Sequence, residues 1–67
     1  MTMWTYLDED GAADPSVARY RVCVRVDTRG RRAVLYQVRR CELWVNATGI
    51  DARWALEAYV LHVDDVG

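Results

Sequence analysis

Between Arg19 and Asp27 the chain alternates without a break, Arg19-Tyr20-Arg21-Val22-Cys23-Val24-Arg25-Val26-Asp27. Successive side chains of a strand point to opposite faces. This segment therefore carries Tyr20, Val22, Val24 and Val26 on one side and Arg19, Arg21, Cys23 and Arg25 on the other. A second run, Ala33 to Val45, follows Thr28-Arg29-Gly30. A three-residue loop puts Gly30 at its third position, where a type I turn with a G1 bulge needs φ above zero. That turn pairs Asp27 with Arg31, Val24 with Val34, Val22 with Tyr36 and Tyr20 with Val38. All the apolar residues then share one face. A two-residue loop at Arg29-Gly30 would set Val24 against Leu35 and turn Val34, Tyr36 and Val38 to the wrong side, so the first register is favoured.

The second run changes phase near Arg39-Arg40: Val34, Tyr36 and Val38 are apolar before it, and Cys41, Leu43 and Val45 after it. A switch inside one extended segment predicts a bulge or a bend, and it places Trp44 on the arginine side. A break into two strands is disfavoured, because two adjacent arginines are poor turn formers. Ahead of the hairpin, residues 3 to 7 predict a short strand with Trp4 and Tyr6 on one side and Met3 and Leu7 on the other. Residues 8 to 16 are acidic and small, with Gly11 and Pro15 as breakers, and read as a loop.

Thr48-Gly49-Ile50-Asp51 matches a capping box, and the good helix formers that follow predict a helix over 49 to 62. Its wheel has two apolar stripes, Ile50, Trp54 and Leu61 on one side and Ala52, Leu56, Tyr59 and Val63 nearly opposite. Two apolar sides imply two surfaces to cover, the hairpin and a second subunit. Trp54 is expected in the core beneath the helix, and His62 on a narrow solvated strip with Asp51. Tyr59 to Val63 is also compatible with a strand. The expected fold class is α+β: a curved antiparallel β-hairpin, with a short third strand at the N-terminus, packed on one C-terminal helix. Residues 1 to 67 form one small domain, divided into an acidic loop (8–16), the hairpin (17–46) and the helix (49–62).

Length sharpens the case for a partner. A chain of 67 residues buries only about 60% of its unfolded surface, and domains of this size usually add disulfides, a metal or another subunit. In the expected register Cys23 opposes Leu35 and Cys41 opposes Val17. They lie roughly 20 Å apart, beyond disulfide reach, and are read as free, partly buried thiols. A single histidine makes a structural zinc site unfavourable. Aligning Asp8-Glu9-Asp10-Gly11 to a calcium loop leaves Tyr6 and Val17 at ligand positions, so no metal, cofactor or catalytic residue is expected. A homodimer is the expected source of extra burial.

Net charge is −1, yet eight of the nine arginines fall between residues 19 and 40, while Asp8, Glu9, Asp10 and Asp14 crowd the loop. There is no lysine and no phenylalanine. This bias points to a GC-rich genome, that of a high-GC bacterium or its phage. No apolar run approaches the roughly 20 residues that span a membrane. Met1 to Leu7 lacks the basic and long apolar regions of a signal peptide, so a cytoplasmic protein with reduced thiols is expected.

The candidate chemistry lies on the arginine face. Arg19, Arg21, Arg25 and Arg39, with Trp44 and Trp4, have the composition of an interface hot spot, guanidinium forks clamping carboxylates and tryptophan anchoring them. These six residues are the expected partner-binding set of a small, non-enzymatic, homodimeric regulatory protein that binds another protein. The alternative is a repressor-like nucleic-acid binder that lays an arginine-rich ribbon in the major groove. Cys23 and Leu35 in the middle of that face, and the slightly acidic chain, weigh against it. An enzyme is the weakest reading, because one histidine and one serine supply few parts.

Overall fold

The computed structural model describes residues 3 to 66. The chain forms β1 (Thr5–Leu7), β2 (Tyr20–Val26), β3 (Arg32–Arg40), β4 (Leu43–Asn46) and α1 (Ile50–Val66). The four strands make one antiparallel sheet in the order β1-β2-β3-β4, with α1 packed on one face. The α+β class expected from the pattern is therefore the observed one.

The central hairpin has the register that the Gly30 turn demands: Tyr20 faces Val38, Val22 faces Tyr36 and Val24 faces Val34. Gly30 has a φ of 78°. The Asp27 carboxylate organises the turn, accepting the Arg31 amide at 2.8 Å, the Arg29 amide at 2.9 Å and Arg31 Nε at 2.8 Å. The bond from the Arg31 amide leads in holding this carboxyl below the usual carboxylate range.

The phase switch has a different origin from the bulge expected. β3 ends at Arg40 and the chain reverses through Cys41 and Glu42, at φ values of 49° and 66°, into β4. Val38 then faces Val45, and Arg40 faces Leu43. A two-residue reversal changes the odd-to-even phase just as a bulge would, so the side-chain faces come out as expected while the chain path does not. Such turns need φ above zero at both centres and usually announce themselves as Asn-Gly or Asp-Gly. Cys-Glu carries no such signal. Cys41 is consequently exposed at a turn instead of partly buried opposite Val17, whereas Cys23 is buried, and both are free thiols. β2 starts at Tyr20, not 17, because Asp14 turns the preceding chain: its Oδ1 accepts the Ser16 amide and its carbonyl accepts the Val17 amide.

α1 runs through the ambiguous stretch 59 to 63 and on to Val66. Neither apolar stripe of the wheel lies squarely against the sheet. Ala55 and Ala58 are the fully buried helix residues, flanked on the same row by Asp51 and His62. Two alanines let the helix backbone approach the strands closely, and the polar ends of the row find partners. Asp51 pairs with Arg40, not with the Thr48 amide that a capping box would require, and His62 Nδ1 lies 3.2 Å from the Gly11 carbonyl oxygen. Trp54 is displaced to the surface, 43% exposed, instead of filling the core. The core proper is Leu7, Tyr20, Val22, Val38, Ala55 and Ala58.

The helix begins beside Arg40 at the end of β3 and passes Tyr36, whose ring meets Tyr59 edge-on at 6.3 Å. It then reaches the loop after β1, where Gly11 sits against Ala58, Leu61 and His62. It thus crosses one half of the sheet. The other half, the far end of the β2–β3 hairpin, extends past it.

Candidate protein-interaction face

The face of the sheet turned away from α1 is built by one straight cross-strand row. Tyr6 faces Arg21, Arg21 faces Gln37, and Gln37 faces Asn46. Alternation brings these residues to the outer face for the same reason that it sends Tyr20, Val22 and Val38 inward. Arg21 Nε donates to Gln37 Oε1 at 2.7 Å, and Gln37 Nε2 donates to Asn46 Oδ1 at 3.0 Å. The row is a relay of polar groups that fixes one guanidinium.

Aromatic rings close over it. The Arg21 guanidinium carbon lies 4.2 Å from the Trp4 ring centroid and 5.0 Å from that of Trp44. Trp44 also meets Tyr6 edge-on at 5.6 Å. Tyr6 and Trp44 belong to the two edge strands, whose backbones in a flat sheet would lie about 14 Å apart at three strand spacings. Their ring contact reflects a sheet curled toward its outer face. Cys23 is buried beneath this lid. Leu35 faces it from β3, and the β1 register continued by one residue brings Trp4 to its other side.

The six residues singled out from the sequence are not all brought together. Trp4, Arg21 and Trp44 form the cluster just described. Arg39 adjoins it, opposite Trp44 and exposed. Arg25 lies further along the hairpin, opposite Ala33 and also exposed. Arg19 sits at the edge and is engaged by the acidic loop, its Nη1 2.7 Å from Glu9 Oε1. The loop therefore meets the arginine series at that residue and not at Arg21. Asn46 was not foreseen, because its place beside Gln37 depends on the reversal at Cys41-Glu42, for which the sequence offers no turn signature.

The geometry leaves Arg21 half-satisfied in a specific way. Its guanidinium carbon lies over both indole rings and its Nε is bonded, but among the described residues Nη1 and Nη2 have no acceptor. A guanidinium held in this manner offers a pre-oriented fork of N–H donors that matches a carboxylate. The other groups with chemical potential are dispersed. His62 faces Gly11, Ser16 donates to Asp14, and Cys41 stands at the β3–β4 turn. Among the described residues no three of His, Cys, Asp and Glu converge as metal ligands, and no helix is long and apolar enough to cross a membrane.

No known family model, curated protein or solved structure matches this chain.

Proposed function

We propose that this protein is a small regulatory interaction protein, working as a pair of identical subunits, whose outer sheet face binds an acidic segment of another protein. The observation that carries this reading is Arg21, stacked by Trp4 and Trp44, anchored through Gln37, and left with its Nη fork unused. A side chain already ordered in its bound geometry loses little entropy on binding. Tryptophan and arginine are also the residue types that dominate interface energetics. The fork clamps an aspartate, glutamate or terminal carboxylate, the indole edges supply apolar contact, and Arg39 and Arg25 extend the cationic surface along the sheet.

The test is pull-down with the full chain, followed by Arg21→Lys, Arg21→Ala and Trp44→Ala. Lysine keeps the charge but cannot reproduce a planar fork, so Arg21→Lys is expected to weaken capture nearly as much as Arg21→Ala. Partners that are all recovered equally by Arg21→Ala and Trp44→Ala would show the surface to be misassigned. Capture of nucleic acid, with an affinity falling steeply as salt rises, would instead favour the arginine-ribbon alternative.

A further inference from the structure

Beyond the strip covered by α1, the β2–β3 hairpin projects as a bare ribbon. β1 pairs only with Tyr20 to Val22 of β2, and β4 only with Gln37 to Arg40 of β3. Among the described residues, 24 to 26 and 32 to 35 therefore have no third strand beside them. On the helix side of this ribbon Val34 is 40% and Val26 64% exposed. The adjoining helix flank is also bare, with Leu56, Val60 and Val63 each close to half exposed. Floor and wall meet where Tyr36 touches Tyr59. The result is an apolar shelf, sheet beneath and helix beside. A two-stranded ribbon is marginal in water by itself.

We infer that this shelf is a two-fold interface with a second copy of the same chain, an inference that rests on the homodimer reading and gives it a location. Two observations select a second copy as the occupant. The first is area. The chain exposes 5058 Å², whereas a compact monomer of 7.7 kDa exposes about 4,300 Å². A chain with that surplus has surface to spare for an ordinary stable interface, in which each partner buries roughly 800 Å². The second is charge. At the ribbon end of the shelf stand Arg29 and Arg32, and at the helix end Asp64 and Asp65, none with an ion-pair partner among the described residues. A two-fold axis brings opposite ends of the same patch together, so each cationic ribbon tip meets the acidic helix end of its partner. The outer face with Arg21 lies on the other side of the sheet and stays open.

Light-scattering chromatography of the full chain over a concentration series tests this. The expected mass is twice 7.7 kDa. Val34→Glu places a charge on the shelf without touching the monomer core and is expected to raise the dimer dissociation constant by about tenfold or more. Asp64→Arg with Asp65→Arg is expected to weaken the dimer, and adding Arg29→Asp with Arg32→Asp in the same chain to restore it. These four positions are at the surface, so the swap remains decisive even where Val34→Glu compromises folding. A monomer at every concentration, a dimer indifferent to Val34→Glu, or a charge swap that fails to restore association would overturn the shelf. Arg21→Ala with Trp44→Ala is expected to stay dimeric. Partner capture by a monomeric Val34→Glu variant would separate the two surfaces, leaving the outer-face reading intact whatever becomes of the dimer.

Discussion

Gly11 is the most sharply constrained position in the acidic loop, and Gly11→Ala converts that constraint into a number. Its φ is 84°, a conformation that costs a non-glycine residue about 1–2 kcal/mol. A methyl group there would lie 2.8 Å from the Ala58 carbonyl oxygen, 2.9 Å from the His62 amide nitrogen and 2.9 Å from Leu61 Cβ. Backbone of a packed helix cannot retreat cheaply, so the loop must lift away, and the His62–Gly11 contact, worth about 1 kcal/mol, goes with it. The sum is about 2–3 kcal/mol, against a total stability of about 3–10 kcal/mol for a chain this size. Gly30→Ala is the internal control. It has a similar φ of 78° but nothing within 4 Å of an added methyl, so it reports the backbone term alone. Urea unfolding followed by tryptophan fluorescence and circular dichroism should place Gly11→Ala below Gly30→Ala by about 1 kcal/mol, equivalent in a thermal melt to a midpoint lower by about 4–8 °C. Equal losses in the two variants, within about 0.5 kcal/mol, would refute the argument that the loop is seated on the helix through this glycine.

Three further outcomes are expected. A double-mutant cycle of Arg21→Ala with Trp44→Ala should show a coupling of about 0.5–1 kcal/mol in unfolding experiments, and strict additivity would mean that the stacking at 5.0 Å contributes nothing. Replacing the reversal Cys41-Glu42 by Asn-Gly should stabilise the chain by about 1–2 kcal/mol, because both residues stand at positive φ; a neutral or destabilising result in thermal melts would show the turn to be unstrained. Burial raises the phenols of Tyr20 and Tyr36 above the ordinary value of 10.0. A raised folded-state value favours folding fully below pH 10 and loses that contribution as pH climbs through it. Alkaline unfolding should therefore coincide with phenolate absorbance, and Tyr20→Phe with Tyr36→Phe should move its midpoint upward.

Much of the fold was legible because it depends on neighbours a few residues apart. Alternation from Arg19 to Asp27 set the two faces of the hairpin, and Gly30 set its register, since one slipped residue would have turned Val34, Tyr36 and Val38 to solvent. The same alternation, with the phase switch, put Arg21 and Trp44 on a common side, which Trp4 joins only through the pairing of β1 with β2. It did not reveal that they touch. That contact needs the curl of the sheet and the reversal at Cys41-Glu42, a turn held in positive φ by residues with no intrinsic preference for it.

The helix shows the division most clearly. The chain itself determined that residues after Thr48 are helical, and the periodicity correctly marked more apolar surface than one sheet can cover. Which row faces the sheet was decided by tertiary packing. Hydrophobicity ranks Trp54 and Leu61 above Ala55 and Ala58, but the alanines permit close approach, and the Asp51–Arg40 and His62–Gly11 contacts hold that row in place. A wheel weighs each residue by its transfer free energy alone. Packing weighs it also by the space available and by whether its polar neighbours find partners. Those quantities exist only once distant segments have met.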